Sequence, residues 1–471
     1  MSFRDPSGQV VMSKDRILRV AKAEGREVLT AFLNSGLGQQ LAEAGLIVGT
    51  EPLSDSEAAE LIQSGNLSPS GAALAGGSFF EHERVPFTSY PFEWPHEMLH
   101  AAGMLTLDIA SKCLDEGWDL KDATPYNVLF RGSEPVFVDL LSFERRDPGD
   151  PIWLAYAQFT RNFILPLLLN RRLGVPLAQI FQTRRDGLEP AEAYRLLGPI
   201  RRLLPPFVSL VTIPTWLGAF EREELYRPRR DADPERAKFV LGSLLKSLRR
   251  KLRRLTPRQS ESQWSKYMGK NCSYTPEQFA AKARFLEAGL ERCAPRALLD
   301  IGCNTGFFSL MAAKKGSRVV ALDSDPMVVG RLWKEASAQK LDLLPLVADI
   351  SRPSPGLGWR NRECPPLLDR LRGSFDTVLM LALIHHLLVT ERVPLSEVVD
   401  LAAELSTRHA IIEYIGPGDP MFQRLTRGRS ALHQSLNRTS FEQAWLSRFE
   451  ILDSLELPDS PRTLYLLSRK A

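Results

Sequence analysis

The second half of the chain alternates short apolar runs with longer amphipathic ones. Ala297-Leu-Leu-Asp-Ile ends in glycine and is almost wholly apolar, which reads as a buried strand. Cys303-Asn-Thr-Gly306 reads as a tight turn, and Phe307 to Gly316 as a helix. Arg318-Val-Val-Ala-Leu then forms a second strand ending in Asp323, and Leu344-Pro-Leu-Val-Ala a third ending in Asp349. A fourth runs from Ser374 through Met380, a fifth lies at Ala410-Ile-Ile-Glu-Tyr, and a last, antiparallel one is expected at Arg462–Arg469. Strands separated by helical stretches predict an α/β domain built on an open, largely parallel sheet.

The first half is less regular. Gln9 to Ala21 reads as a hairpin turning at Lys14-Asp15, and Pro95 to Glu116 as a long helix. Val136-Phe-Val leads into Asp139 after a turn at Gly132-Ser-Glu-Pro. The chain breaks at Arg227–Ser262, where the proline-punctuated RPRRDADPER precedes an amphipathic helix. One face of that helix carries Val240, Leu241, Leu244, Leu245, Leu248, Leu252 and Leu255; the other carries Lys246, Arg249, Arg250, Lys251, Arg253 and Arg254. Two readings stand. Its basic face meets an anionic surface such as a membrane, or its apolar face is packed and its charges are solvated. TPRQSES reads as a linker. Expected boundaries are therefore 1–226, a basic helical connector at 227–262, and 263–471.

Composition changes this picture little. The 471 residues are 44% hydrophobic and 25% charged, ordinary for globular domains and enough for two cores. A formal net charge of +4 is small for this length and gives no ground to expect nucleic acid. Cysteines at 113, 272, 293, 303 and 364 stand singly, without metal spacing, and fit a reducing, cytoplasmic setting. No apolar leader follows Met1, and the run 163–169 is too short to span a bilayer. No metal site is expected, and the oligomeric state is left open.

The chemistry concentrates after the first strand of the second half. Gly302 and Gly306 allow a sharp turn and close approach of the backbone to a ligand. Asp323 can accept hydrogen bonds from a ribose diol, and Asp300 can orient the turn or approach an amino group. The spacing D-x-G-x-x-x-G, with Asn304 in the middle, differs from the G-x-G-x-x-G of dinucleotide-binding domains. With the strand order, it resembles class I S-adenosylmethionine-dependent methyltransferases. That resemblance implies a Rossmann-like seven-stranded fold, with Asp300, Gly302, Asn304, Gly306, Asp323 and Asp349 toward the cofactor. His385 and His386 follow the fourth strand, in what reads as a loop, and Glu413 lies in the fifth; each is a candidate base or a packing residue. Asp376 reads as a fold residue. Tyr267, Lys270 and Tyr274 cover the cofactor or are ordinary surface.

Leu120-Lys-Asp-Ala-Thr-Pro-Tyr-Asn127 followed by Asp139 resembles the catalytic loop and metal-binding strand of protein kinases and aminoglycoside-type phosphotransferases. It implies Asp122 as base and Asn127 and Asp139 toward Mg2+ and ATP. Phe87–Trp94 would be the hinge. No glycine-rich loop precedes it. Arg19 or Lys22 would replace the phosphate lysine, with Glu24 or Glu27 as its partner. An α+β, degenerate kinase-like domain is expected, which holds substrate or the other domain. An active phosphotransferase and an unrelated fold remain alternatives. SYPFEW (89–94), LKDATPYN, PVFVDLLSFE (135–144) and DIGCNTGFFS (300–309) together resemble a two-part bacterial family that includes nodulation-type methyltransferases of rhizobia. Some of these are linked to glycan signals. Bifunctional kinase-methyltransferases that cap O-antigen chains are similar, in the opposite domain order. The resemblance implies methyl transfer to a glycan or small metabolite. A bifunctional kinase-methyltransferase and a non-enzymatic scaffold are the alternatives.

Overall fold

The computed structural model describes residues 5–13, 16–64, 77–218, 233–257, 274–427 and 436–470. Lys14, Asp15, Tyr267, Lys270 and Cys272, and the connector at 227–232 and 258–262, lie outside the described residues. The chain divides into two compact units: Met1–Arg131, Pro135–Arg258 and Leu357–Cys364 in the first; Gly132–Glu134, Gln259–Gly356 and Pro365–Ala471 in the second.

In the first unit, β1 (Gly8–Ser13) and β2 (Arg16–Ala21) form the expected hairpin. With β3 (Thr50–Pro52) and β4 (Ser78–His82) they make an antiparallel sheet of order β1-β2-β4-β3. The helix Ala23–Leu33 follows β2, and Pro91–Glu93 is a single 3-10 turn before the long helix His96–Asp115. Two small ladders follow: β5 (Trp118–Leu120) with β8 (Phe143–Arg145), and β6 (Val128–Arg131) with β7 (Glu134–Phe137). Aromatic rings fill the space between these elements: Phe32 stacks on Phe143 with centroids 3.9 Å apart, and Trp118 meets Phe32 edge-on at 5.2 Å.

The basic helix Pro234–Arg253 belongs to this first unit and is no separate connector. It buries Leu241, Leu245, Leu248 and Leu252 beside His96–Asp115. Its C-terminal carbonyls are taken up there: the His96 and His100 rings bond the carbonyls of Leu255 and Leu252 at 2.8 and 3.1 Å. Most of the leucine face is therefore packed, while Val240 on that face and the neighbouring Phe239 stay exposed and Arg249 pairs with Asp108. Among the described residues no helix is long and apolar enough to cross a bilayer.

The second unit is one seven-stranded sheet of order β11-β10-β9-β12-β13-β15-β14. Its strands are β9 (Ala297–Ile301), β10 (Arg318–Asp323), β11 (Leu343–Val347), β12 (Phe375–Met380), β13 (Ser406–Ile415), β14 (Phe449–Glu456) and β15 (Arg462–Arg469). All neighbours are parallel as far as β13; β15 runs antiparallel to β13 and β14. This is the class I methyltransferase topology. Strands covered on both faces must be apolar throughout, and β9 is buried at every position. The chain order reverses between β9 and β12, and at that reversal the strands' carboxyl ends leave a crevice.

The helix Pro276–Cys293 begins with a reciprocal cap. Thr275 Oγ1 accepts from the Gln278 amide at 3.2 Å, and Gln278 Oε1 accepts from the Thr275 amide at 3.0 Å. Leu286 and Leu290 seat this helix in the core with Leu298, Ile411 and Leu466. Tyr274, one residue before the cap, is fixed by it.

Candidate functional site

The turn after β9 carries three consecutive constraints. Gly302 and Gly306 hold φ of +79° and +78°, which a side chain at either position would strain. At Gly306 a Cβ would also lie 2.2 Å from Leu332 Cδ1, inside a buried core contact. Asn304 sits at φ +50°, a conformation asparagine tolerates better than most residues. Its own Oδ1 accepts from the Thr305 amide at 2.7 Å. The amides of Gly302 and Cys303 both donate to the Leu322 carbonyl, tying the turn to β10.

Asp323, at the end of β10, accepts from the Asn304 amide at 2.9 Å through Oδ2 and from the Asp325 amide at 2.9 Å through Oδ1. Burial raises its pKa, and these amides oppose the rise. Asp300 is deeper, 3% exposed. Burial pushes its carboxyl up to about 6, against a 2.5 Å bond from Ser309 Oγ. Asp349 follows β11. Burial raises its pKa too, but bonds from Ser351 and Arg352 outweigh that and leave it below the usual range.

These residues line one cavity of about 380 Å3, with Tyr274, Lys282, Phe307, Phe308, His386 and Glu391 also on its wall. Asp300, Gly302, Asn304, Asp323 and Asp349 are thus brought together; Gly306 shapes the turn without lining it. Asp376 lies elsewhere, accepting from the amides of Arg296 and Ala297 at the start of β9.

His385 and His386 lie on the helix Ile384–Val389 and not in a loop. Successive residues on a helix point about 100° apart, so the two part company. His386 lines the cavity, and burial lowers its pKa, keeping the ring neutral. His385 faces the core, 3% exposed, with neither ring nitrogen hydrogen-bonded. Burial, then the neighbouring His386, pushes it down to about 2.

Glu413 is not on the cavity wall. Its Oε2 pairs with Lys282 Nζ at 2.7 Å, and its Oε1 accepts from Tyr274 Oη at 2.7 Å and lies 3.8 Å from Arg462 Nη1. Lys282 also donates to Tyr274 Oη at 2.9 Å, and Arg462 Nε donates to Asp419 Oδ2 at 2.7 Å. Two buried cations and two buried carboxylates thus balance behind Tyr274. Both Glu413 oxygens are thus engaged by partners of this cluster, off the cavity wall.

Sequence reasoning missed Lys282, Phe307, Phe308 and Glu391 as wall residues. Lys282 left a trace: it shares the i, i+4 face of Leu286 and Leu290, an odd place for a lysine.

In the first unit Asp122, Asn127 and Asp139 converge. Asn127 Nδ2 donates to Ser142 Oγ at 3.2 Å, which donates to Asp139 Oδ2 at 2.8 Å. Asp122 accepts from Gln158 Nε2 at 3.4 Å, and burial, then the nearby Asp139, raises its pKa. Arg19 Nη1 lies 2.9 Å from Asp139 Oδ1, and its Nε donates to His82 Nε2 at 3.0 Å. The expected partners Glu24 and Glu27, and the alternative cation Lys22, are exposed on the surface instead. Arg19, 2% exposed, is anchored inward because β2 alternates its side chains across the sheet.

A methyltransferase-domain family profile matches residues 299–401. The nodulation protein NoeA of Rhizobium meliloti (strain 1021) is 30% identical over 475 residues, 99% of this chain and 95% of that protein. Among solved structures, the N-methyltransferase NodS from Bradyrhizobium japonicum WM9 in complex with S-adenosyl-L-homocysteine matches at 14% identity. That match covers 43% of this chain and 92% of NodS, with a TM-score of 0.32. The bifunctional kinase-methyltransferase WbdD matches at 20% identity over 43% of this chain, with a TM-score of 0.30; the match spans only 41% of WbdD.

Proposed function

This chain belongs to the family of the nodulation protein NoeA and is an S-adenosylmethionine-dependent methyltransferase, and from that premise we propose that it methylates an oxygen of a glycan or small metabolite at the cavity described above. The observation that carries this reading is the convergence of Asp300, Asp323, Asp349 and His386 on one wall at the sheet's switch point.

The donor set fits the cofactor. Asp323 offers a carboxylate to the ribose hydroxyls while its turn-facing lone pairs stay occupied by amides. Asp349 offers an oxygen to the adenine amino group. Gly302 and Asn304 bring bare backbone to the ligand, and Asp300 stands toward the amino group. The cofactor supplies an electrophilic methyl group on a sulfonium sulfur. Phe307, Phe308 and Tyr274 restrict water at the wall, and holding the acceptor in line supplies much of the rate. Neutral His386 accepts the proton that an acceptor hydroxyl releases. Titration of S-adenosylmethionine into the wild type and Asp323→Ala tests this: binding by the former and loss in the latter is expected. Absence of binding by the wild type overturns the reading and revives a scaffold role.

We read the first unit as a degenerate kinase-like module that holds the acceptor. Its residues do not fit a magnesium–nucleotide complex. One Asp139 oxygen lies 2.9 Å from the Arg19 guanidinium, where a cation would be repelled, and the other accepts from Ser142. Titration with ATP and Mg2+ should give no heat; binding abolished by Asp139→Ala would restore the bifunctional alternative.

A further inference from the structure

We propose that the face formed by residues 196–217 of the first unit docks on an anionic lipid surface. Among the described residues sixteen large apolar side chains are exposed, and seven of them fall in this short stretch. Ile200 is 75% exposed, Leu203 64%, Leu217 57%, Leu196 55% and Trp216 52%. So dense a cluster is uncommon on a surface that meets only water.

The stretch is built to present these side chains. The helices Pro190–Leu196, Pro199–Arg202 and Ile213–Gly218 pack around the π-turn Val208–Thr212. Ala193, Leu197, Phe207, Leu210 and Val211 form its inner side, each no more than 5% exposed. Thr212 Oγ1 donates to the Arg202 carbonyl at 2.6 Å, and the Arg202 guanidinium lies 3.9 Å over the Tyr194 ring. One apolar set thus anchors the element while a second set faces outward.

Charge selects the partner. Arg195 and Arg201 are exposed and Arg202 is half-buried. Glu192 is the one acid in 190–218, and it is held by Arg184 at 2.8 Å. A two-fold dimer through this face would set the same arginines against themselves. Anionic headgroups are complementary to them, and exposed leucine, isoleucine and tryptophan suit the headgroup–acyl boundary.

The test is sedimentation of the full-length protein with vesicles of phosphatidylcholine alone or mixed with phosphatidylglycerol, at low and high salt. Two variants accompany it, Trp216→Ser/Leu217→Ser and Arg195→Gln/Arg201→Gln. Wild type should partition onto the mixed vesicles, with each variant weaker by about tenfold or more and with high salt releasing it. Unchanged melting and cofactor affinity show that the variants are folded; the arginine pair, on the exposed surface, keeps the test open if the apolar pair melts early. Failure of the wild type to bind mixed vesicles at low salt overturns the proposal. So does a wild-type dimer that Trp216→Ser/Leu217→Ser dissociates.

Discussion

Replacing Glu413 by glutamine separates a structural carboxylate from a catalytic one. The change keeps shape and removes one charge from a cluster in which the Glu413, Arg462 and Lys282 side chains are 0%, 2% and 3% exposed. At 2.7 Å, and with an effective dielectric constant of about 20, the attraction to Lys282 is roughly 6 kcal/mol before desolvation. Breaking such a pair from one side costs about 3–5 kcal/mol, because the partner stays buried and uncompensated. For a unit of this size the melting midpoint should fall by on the order of 10 °C. Lys282 limits the damage. Burial already depresses its pKa, with Glu413 opposing; without Glu413 it escapes by releasing its proton. The folded variant then binds fewer protons than the unfolded chain, so its stability rises with pH, and the defect should be larger at about pH 6 than at about pH 9. The assay is urea unfolding of the wild type, Glu413→Gln, Lys282→Met and the double variant, at both pH values. The double variant should recover much of the loss. A Glu413→Gln protein as stable as wild type, with normal cofactor affinity but methyl transfer reduced about a hundredfold, would refute this account and make Glu413 the base.

Asp323→Ala should weaken S-adenosylmethionine binding by about 10²-fold or more, as two charged hydrogen bonds of about 1.5–3 kcal/mol each are lost; Asp323→Asn, which can still accept from the Asn304 amide, checks that the turn survives. Gly306→Ala should cost about 2–5 kcal/mol in unfolding measurements, from left-handed strain plus the clash with Leu332. His386→Ala should lower kcat by about 10²-fold or more with little change in cofactor affinity, and the wild-type rate should hold to a pH below the ordinary histidine range, because burial lowers this pKa. For His385, pushed down to about 2, the folded state binds fewer protons below about pH 6.5, so its contribution is lost as pH falls through the unfolded value. Wild type should therefore lose about 2 kcal/mol relative to His385→Leu between pH 6.5 and 5; equal pH dependence of the two would show that His385 is not the titrating group.

What could be read in the sequence was what neighbours in the chain decide. Gly302, Asn304 and Gly306 announce a left-handed turn, Asp323 ends its strand and Asp349 stands two residues past the end of its own, so strand direction alone carries them to the carboxyl edge. β14 was missed. It is an edge strand whose Glu450, Asp453, Ser454 and Glu456 leave little apolar periodicity to detect. The two histidines needed the helical phase of Ile384–Val389, which a reading of that stretch as a loop does not supply. Glu413, Lys282 and Arg19 needed partners 131, 131 and 120 positions away, and no local pattern states such a pairing. The same distinction sorts the acids by chemistry. Asp323 is held by backbone amides on its own turn and the next, which satisfy a carboxylate without neutralising it, so its charge remains available to a ligand. Glu413 and Asp139 are held by side-chain cations, which cancel their charge. A carboxylate whose partners are amides is therefore the first to test as a binding residue, and one locked by buried cations, as Glu413 is by Lys282 and Arg462, is first a positioning group; the Arg352 that meets Asp349 is itself exposed on the cavity wall and leaves that acid among the binding candidates.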